Sequence, residues 1–322
     1  MMRHFLSCDW GTSSLRLRLA EVRDGRIIAE VRSAEGVAPV YEKWRRSGLG
    51  DDQKAGFYLD VIRQKSMELE KHTAQPLKGL TLVLSGMASS SIGFIDLPYA
   101  SMPFRLDGAG MITALIAAGN GFEHDALIIS GVKTDDDVMR GEETQLIGCV
   151  AQGRQVKDEL FIFPGTHSKH IMVKDNYAVG LKTFMTGEVF SILAQHSILK
   201  NTIQSADFDA DAFKRGVCDS ASGDLLHLIF RARTNGLFDR CTEAENYHYL
   251  SGLLIGSELS GLASANVDKI NLVCGNELRQ PYQIALDMLS GGQKLEVFSA
   301  DQADDATIKG QLAILKHLKI VS

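Results

Sequence analysis

The pattern of apolar and polar residues at the start of the chain predicts a three-stranded meander. Phe5 to Cys8 is a short apolar run, and Leu15 to Leu19 alternates leucine with arginine, which is the period of a half-buried strand. Asp24-Gly25 is a favoured hairpin-turn dipeptide, and Arg26 to Val31 forms a third strand after it. The chain is therefore predicted to open with antiparallel strands and not with a strand–helix unit.

A helical period follows over residues 51–72, where the apolar residues share one face. Leu80 to Leu84 and Ala126 to Ser130 are predicted as buried strands, and Gly108 to Ala118 and Glu142 to Gln152 as helices. The first half of the chain is therefore predicted to run β-β-β-α-β-α-β-α.

The opening pattern returns about halfway along the chain. Leu160 to Phe163 and His170 to Lys174 are predicted strands, and the turn between them contains Gly165-Thr166-x-Ser168, which repeats Gly11-Thr12-x-Ser14. An internal duplication of a whole domain explains this repeat, and chance similarity of two Gly-Thr hairpins is the alternative. We expect an α/β protein with an N-terminal domain over residues 1–135 and a C-terminal domain over residues 136–322. The last helix is expected to pack back across the hinge.

Composition excludes several classes of protein. The formal net charge is −6, which argues against a surface built to bind nucleic acid. No apolar run reaches the roughly 18 residues that a membrane span needs, and the N-terminus does not resemble a signal peptide. The five cysteines are far apart and lack C-x-x-C spacing, which is typical of reduced thiols in a cytosolic protein. We expect a cytoplasmic protein with neither a nucleic-acid nor a membrane partner.

The first glycine turn is a candidate phosphate site. A turn between two strands points backbone N–H groups into one small space, which suits phosphate oxygens. Thr12, Ser13 and Ser14 add hydroxyl donors beside Gly11, and Asp9 at the strand end can hold a hydrated Mg²⁺. An ordinary hairpin turn is the alternative for the same residues. A second copy of the turn at Gly165 favours the functional interpretation.

Two adjacent acids begin the helix that precedes the second turn. Glu142 and Glu143 suit the positive end of a helix dipole, so a purely structural role is one interpretation. The functional interpretation is a carboxylate that accepts the proton of an attacking hydroxyl during phosphoryl transfer. Because adjacent helical residues point about 100° apart, only one of the two can face a substrate. The residues alone leave both options open.

Basic residues near the two turns are further candidates. Arg16 could reach a phosphate, but a solvated strand face is an equal alternative. Lys169 could meet phosphate as a point charge, while His167 could equally bond a turn carbonyl. Asp135 to Asp137 resembles a metal cluster, although consecutive acids are more often a solvated loop.

A loop of small polar residues follows a buried strand in the first half. Ser85, Gly86, Met87 and Ser89 lie beyond its carboxyl end, where open α/β sheets bind ligands. Their hydroxyls and backbone could bind a sugar acid, and a plain flexible loop is the alternative. Gly275 follows another strand and precedes a helix, so a flat ring could approach the backbone there.

Five segments together resemble the 2-dehydro-3-deoxygalactonokinase family, in the family's order and over nearly the whole chain. The M-R-G-E-E-T-Q and P-G-T-H-S-K strings are specific, whereas D-W-G-T-S-S is shared more widely among actin-like ATPases and sugar kinases. The segments are Asp9 to Arg16, Val138 to Leu146, Pro164 to Lys169, Met185 to Glu188, and Leu250 to Gly256.

The resemblance implies two duplicated ribonuclease H-like domains of the actin/hexokinase type. Each would have a mixed five-stranded sheet with flanking helices, and a cleft would lie between the domains. The implied reaction transfers a phosphoryl group from Mg-ATP to the 6-hydroxyl of 2-dehydro-3-deoxy-D-galactonate in galactonate catabolism.

The resemblance also assigns roles to residues. Residues 9–14 would form the first phosphate loop and residues 165–168 the second. Gly187 would also bind the cofactor, and Gly275 would mark the adenosine site. Arg140, in the M-R-G-E-E-T-Q string, would contact the substrate. Glu143 is favoured as the base because it directly precedes Thr144.

Departures and alternatives remain. The second turn has Pro164 where an acid could bind metal, and His170 stands where an aromatic residue is expected. An actin-like phosphohydrolase acting on polyphosphate or nucleotide phosphates, a kinase for the gluconate epimer, and a non-catalytic nucleotide switch are the alternative functions. The oligomeric state, with a homodimer among the options, stays open.

Overall fold

The computed structural model describes residues 3–73, 75–119, 122–150, 153–262 and 266–321. The strands in chain order are β1 (His4–Trp10), β2 (Leu15–Glu21), β3 (Ile27–Ser33), β4 (Leu82–Gly86), β5 (Ala100–Ser101), β6 (Phe104–Arg105), β7 (Thr113–Ile116), β8 (Ala126–Ile129), β9 (Val132–Lys133), β10 (Val138–Met139), β11 (Glu159–Phe163), β12 (Ser168–Lys174), β13 (Tyr177–Phe184), β14 (Lys269–Leu272) and β15 (Lys294–Val297). The α-helices are α1 (Val37–Ser47), α2 (Lys54–Lys71), α3 (Glu142–Val150), α4 (Thr186–His196), α5 (Ala210–Ser220), α6 (Leu225–Leu237), α7 (Glu243–Leu259), α8 (Asn276–Leu289) and α9 (Ala300–His317). Within the described ranges, no helix is long and apolar enough to span a membrane.

The chain divides into two compact units. Unit 1 comprises residues 1–156, 175–180 and 301–322, and unit 2 comprises residues 157–174 and 181–300. This division differs from the predicted boundary after residue 135, because α3 packs against α9 within unit 1. A Cβ on Gly148 of α3 would lie 1.7 Å from the carbonyl oxygen of Ala306, so the two helices touch through their backbones.

Unit 1 is built on a mixed sheet with the order β3-β2-β1-β4-β8-β7. Strands β1, β2 and β3 form the predicted antiparallel meander, while β4 and β8 run parallel to β1. One face of this sheet packs its apolar residues against α1 and α2, with Trp10 and Tyr58 in ring contact. Because strand residues alternate between faces, Asp9, Arg16 and Arg18 lie on the opposite face.

Unit 2 repeats this sheet order. Its strands follow the order β13-β12-β11-β14-β15, which matches β3-β2-β1-β4-β8 strand for strand. Strand β11 pairs antiparallel with β12 and parallel with β14, as β1 does with β2 and β4. The mixed five-stranded sheet is thus present in both halves. Each sheet also carries a sixth strand, β7 beside β8 and β6 beside β13. Strand β6 and residues 177–180 of β13 belong to unit 1.

Two local predictions differ from the structure. The helix predicted over Gly108 to Ala118 is wrong, since Thr113–Ile116 is strand β7 and pairs antiparallel with β8. Local sequence does not reveal this edge pairing, because a short apolar run fits a helix and a strand equally well. Helix α1 was not predicted, and its first turn contains a proline, which the start of a helix tolerates.

Candidate functional site

The first glycine hairpin is held from behind by helix α1. The N–H of Gly11 donates to the carbonyl oxygen of Ser14 at 2.9 Å, which closes the turn. The N–H groups of Val37 and Ala38, at the start of α1, donate to two hairpin carbonyls at 2.9 and 3.0 Å. The hydroxyl side chains of residues 12–14 remain exposed. The hairpin is therefore fixed through its carbonyls while its hydroxyls face outward.

Gly36 is the residue that allows this approach. A Cβ on Gly36 would lie 2.3 Å from the carbonyl carbon of Ser13 and 2.4 Å from the carbonyl oxygen of Thr12. No side chain fits there without moving the hairpin. Sequence reasoning missed Gly36, and a glycine directly before a helix start was the available signal.

Asp9 lies below the first hairpin with an unbonded carboxylate. It is half-buried at the end of β1 and sits opposite Arg16 in the strand register. Among the described residues its carboxylate accepts no hydrogen bond. Burial raises the pKa of Asp9 and the charge of Asp304 adds to this, while Arg16 and Arg18 lower it.

Arg16 and Arg18, on the same face as Asp9, are tied to helix α9. Arg16 Nη1 bonds Asp304 Oδ1 at 2.8 Å, so this predicted phosphate ligand is engaged by a carboxylate in the structure. Arg18 is 1% exposed and bonds Glu30. Sequence reasoning missed Asp304, because its partner lies almost the whole chain away.

The donor set around Asp9 fits a hydrated magnesium ion. Mg²⁺ keeps most of its waters and is bound by one or two carboxylates together with substrate phosphates. A carboxylate without hydrogen bonds beside a turn of free hydroxyls meets that description. The acidic triplet 135–137 lies in a loop where the N–H groups of Asp136 and Asp137 donate to Thr134 Oγ1. No group of three or more potential metal ligands occurs in the described part of the chain.

Two glycines bring the start of α3 next to Asp9. A Cβ on Gly141 would lie 3.4 Å from the Cα of Gly86, and a Cβ on Gly86 would lie 3.5 Å from Asp9 Oδ1. Gly86 and Gly141 have φ values of 81° and 114°, which glycine adopts without strain. The predicted acids and the predicted metal ligand therefore belong to one cluster in unit 1.

Glu143 is fully buried at the N-terminus of α3. Its carboxylate accepts from the N–H of Gly141 at 2.7 Å and from Thr144 Oγ1 at 3.0 Å. Burial, followed by the charge of Glu142, raises the pKa of Glu143 to about 7. Glu142 is only partly buried, and its Oε2 accepts from the N–H of Arg140 at 3.1 Å. The two acids therefore differ in exposure and in hydrogen-bond partners.

Helix α9 supports this cluster from below. Gln311 Nε2 donates to Ser85 Oγ at 2.9 Å and to the carbonyl oxygen of Cys8 at 3.1 Å, next to Gly86 and Asp9. A Cβ on Gly310 would lie 1.9 Å from the carbonyl oxygen of Thr144. Ser85, predicted to bind substrate, is buried and holds Gln311. Gln311 was missed because it comes more than 200 residues after its partners.

The predicted substrate residues Ser89 and Arg140 meet in the structure. Arg140 Nη1 donates to Ser89 Oγ at 2.6 Å and to its carbonyl oxygen at 2.5 Å. The guanidinium lies 4.1 Å from the ring centroid of Tyr99, and its buried Nε has no hydrogen-bond partner among the described residues. Met87 begins the short 3-10 turn that carries Ser89. Arg140 is therefore fixed in position, and its buried Nε donor is unused.

The second glycine hairpin, in unit 2, is held by helix α4. The N–H of Glu188 donates to the carbonyl oxygen of Thr166 at 3.0 Å, and Glu188 also bonds His167. A Cβ on Gly187 would lie 2.6 Å from the carbonyl oxygen of Gly165. Gly187 thus plays the part in unit 2 that Gly36 plays in unit 1.

A buried carboxylate, Glu258 of α7, organises the strand after the second hairpin. It accepts from Ser168 Oγ at 2.6 Å and from Tyr282 Oη at 2.7 Å, lies 2.9 Å from His170 Nε2, and also bonds Thr186. Burial acts to raise the pKa of Glu258, but these hydrogen bonds outweigh it and hold the pKa below its usual range. Glu258 was not predicted from the sequence. Its contact with His170 accounts for a histidine, and not an aromatic residue, at that position.

The remaining predicted ligands of unit 2 differ in exposure and in hydrogen-bond partners. Lys169 is buried and its Nζ donates to the carbonyl oxygen of His167 at 2.8 Å, inside the turn. Ser168 is buried on Glu258, whereas Gly165 and Thr166 are at least partly exposed. Gly275 is exposed and caps the N-terminus of α8, with open space where a Cβ would lie.

Comparison with known proteins agrees with this organisation. The family model described as 2-keto-3-deoxy-galactonokinase matches residues 9–314. A Rhizobium meliloti protein described as a probable 2-dehydro-3-deoxygalactonokinase is 33% identical over 93% of this chain and 94% of its own length. The 2-dehydro-3-deoxygalactonokinase of Escherichia coli is 32% identical over 96% of this chain and 97% of its own length.

A solved structure extends the likeness to the fold. The crystal structure of a Sinorhizobium meliloti protein described as a 2-dehydro-3-deoxygalactonokinase superposes with a TM-score of 0.81 at 30% identity. The match covers 99% of this chain and 98% of that one. With matches of this length in sequence and in structure, the chain belongs to the 2-keto-3-deoxy-galactonokinase family.

Proposed function

We propose that this chain transfers a phosphoryl group from ATP to the 6-hydroxyl of 2-dehydro-3-deoxy-D-galactonate in galactonate catabolism. The observation that carries the chemistry is the cluster in unit 1. A hairpin of free hydroxyls, an unbonded Asp9 and the acidic start of α3 are joined there through Gly86 and Gly141. Family membership over residues 9–314 supports the choice of substrate.

Both hairpins bind the phosphates of one ATP molecule in this proposal. The backbone N–H groups of residues 12–14 and of residues 165–168 supply the donors, and each hairpin is held by the start of a helix. Asp9 is the residue that would hold Mg²⁺. The ion, when bound, neutralises charge on the phosphate oxygens during transfer.

Glu143 is the proposed base. A group with a pKa near the working pH is best suited to accept and release a proton, and that of Glu143 is about 7. The N–H of Gly141 and the hydroxyl of Thr144 fix its carboxylate. Glu142 is the second candidate because it is more exposed than Glu143, which is fully buried.

Arg140 is the proposed ligand for the carboxylate of the sugar acid. Its guanidinium is held by Ser89 and by the ring of Tyr99, and its Nε remains unpaired. A planar guanidinium with a free donor suits a carboxylate, which it binds more tightly than a neutral hydroxyl. Because the reaction consumes ATP, we propose the cytoplasm as its location.

The decisive assay follows ADP and free phosphate with and without sugar acid. The proposal predicts ADP formation that depends on 2-dehydro-3-deoxy-D-galactonate and releases no free phosphate. Free phosphate without sugar acid would favour a phosphohydrolase, and nucleotide binding without turnover a switch. Running the gluconate epimer in parallel determines the preferred substrate.

Two matched substitutions separate the acids. Glu143→Gln is expected to reduce kcat by about 10²- to 10⁴-fold while ATP affinity changes little. Glu142→Gln is expected to keep most of the activity. If the losses are reversed, Glu142 is the base and Glu143 positions the helix start.

A further inference from the structure

Unit 1 contains a large cavity that is lined by none of the proposed site residues. Its volume is about 680 Å³, within the range of small-molecule sites. The wall comes from the β2–β3 turn, the segment after β6, the chain after α3, the turn before β13, and the last turns of α9.

The rim of this cavity is basic although the chain as a whole is acidic. Five arginines and lysines line it against two aspartates, an excess of three positive charges, whereas the net charge of the chain is −6. The basic residues are Arg23, Arg105, Arg154, Lys309 and Lys316.

Local aspartates neutralise part of this charge, but not Lys316. Arg23 pairs with Asp24 at 2.9 Å, Arg105 with Asp107 at 2.6 Å, and Lys309 with Asp305, which lies outside the lining, at 3.5 Å. Among the described residues Lys316 makes no ion pair. A basic last turn suits the negative end of the α9 dipole, but this does not explain the basic residues that other elements contribute.

The floor of the cavity is apolar. Leu106 and Leu312 line it and are each about 5% exposed, and Ala313 lies beside them. A bare inorganic ion gains nothing from such a surface, whereas the carbon chain of an organic anion does.

One wall of the cavity joins the segments that connect the two units. Asn176 exchanges hydrogen bonds with the backbone of Val156, with its N–H donating at 2.9 Å and its Oδ1 accepting at 2.8 Å. It also donates through Nδ2 to Gln155 at 2.7 Å and accepts from the N–H of Leu106 at 3.0 Å. The chain passes between units directly after Val156 and on both sides of residues 175–180.

We propose that this cavity is an effector site for a small organic acid that carries both a phosphate and a carboxylate. Such a molecule bears about three negative charges at neutral pH, and its sign complements the basic rim. The product of the proposed reaction belongs to this class. Because Asn176 ties both connecting segments at the wall, occupation of the cavity changes turnover.

Calorimetry on the full chain with 6-phosphogluconate tests the binding. We expect one equivalent to bind wild type and Asp9→Asn alike, and gluconate and inorganic phosphate to bind at least tenfold more weakly. The double substitution Arg154→Glu with Lys316→Glu should weaken binding at least tenfold, while Lys71→Glu, an exposed lysine of α2, should not.

Several outcomes overturn the proposal. They are the absence of saturable binding to wild type, binding that survives the charge reversal, or binding that Asp9→Asn abolishes. Equal binding of inorganic phosphate would overturn the assignment to an organic acid. If the double variant does not melt as wild type does, Arg154→Gln with Lys316→Gln replaces it, with a weakening of at least threefold expected.

Kinetics test the coupling separately. At saturating substrates, 6-phosphogluconate should change the kcat of wild type at least twofold and leave the charge-reversed variant unaffected. Binding without a change in kcat would refute the effector role. Because the binding measurement needs no turnover, failure of the proposed kinase activity would not be mistaken for failure of this site.

Discussion

The two glycine hairpins share a backbone arrangement and differ in the charge beneath them. In each, the start of a helix donates to hairpin carbonyls, and a glycine at that start has no space for a side chain. These glycines are Gly36 in unit 1 and Gly187 in unit 2. The duplicated halves have therefore kept the geometry that fixes the turns.

The charges have diverged. Below the first hairpin, Asp9 carries no hydrogen bond within the described residues and neighbours the start of α3. At the equivalent strand position, unit 2 has Phe163. In unit 2 the buried carboxylate of Glu258 instead forms hydrogen bonds with four side chains. We infer that unit 1 supplies the reactive carboxylates and that unit 2 supplies a rigid phosphate grip.

Removing the charge of Asp9 gives the largest expected effect. Asp9→Asn should lower kcat by about a thousandfold, because the site would lose the carboxylate that we propose holds Mg²⁺. Asp60→Asn, which changes an exposed acid of α2, is the matched control and should keep full activity. Near-normal turnover of Asp9→Asn, measured by ADP release, would show that the carboxylate below the first hairpin is not needed for the reaction.

Glu258→Ala should act mainly on stability. The substitution leaves buried donors such as Ser168 and Tyr282 unpaired, at a cost of about 3–5 kcal/mol in the free energy of unfolding. Because the pKa of Glu258 is lowered in the fold, its contribution is present above its ordinary pKa and is lost as pH falls.

Urea unfolding measures this effect. The deficit of Glu258→Ala should therefore be smaller at pH 4 than at pH 7. Glu243→Ala, an exposed acid at the start of the same helix, should change stability by about 0.5 kcal/mol or less. A deficit that does not vary with pH would contradict an ionised Glu258.

Glu143 should give the opposite pH dependence. Its pKa rises from an ordinary 4.5 to about 7, so the folded state binds the proton more tightly and loses stability as pH rises through this interval. Relative to wild type, Glu143→Gln should gain about 2 kcal/mol between pH 5.5 and pH 8 in urea unfolding. A gain on acidification would mean that the carboxylate is stabilised in its charged form.

The smallest effects should come from the paired threonines. Thr12→Ala and Thr166→Ala each remove one exposed hydroxyl at equivalent hairpin positions. Each is expected to weaken ATP binding by about threefold to tenfold, the value of one hydrogen bond. If calorimetry shows weaker ATP binding for Thr12→Ala alone, only the hairpin of unit 1 binds the phosphates.

Local patterns were sufficient to predict the meander, the repeat and the two turns. Leu15 to Leu19 alternates so regularly that the opposite face had to carry Arg16 and Arg18, and register then placed Arg16 beside Asp9. The M-R-G-E-E-T-Q string predicted Arg140 as a substrate ligand, and the loop after a buried strand predicted Ser89. The two side chains are hydrogen-bonded in the structure. These features depend on neighbours in sequence or on strand period.

Distant partners could not be predicted in the same way. Asp304 and Gln311 reach the site from the last helix, and Glu258 reaches Ser168 from α7. No periodicity of α9 distinguishes an acid that faces solvent from one that binds Arg16. Gly148 of α3 likewise touches Ala306 of α9, which places α3 in unit 1. The predicted boundary after residue 135 missed this because the two residues are far apart in the sequence.

The most direct measurement is a crystal structure of the chain with Mg²⁺ and a non-hydrolysable ATP analogue. We expect that backbone N–H groups of residues 12–14 and of residues 165–168 both contact the phosphates of one nucleotide, with Asp9 on the metal side. A triphosphate that touches only one hairpin, or that binds away from Asp9, would contradict it.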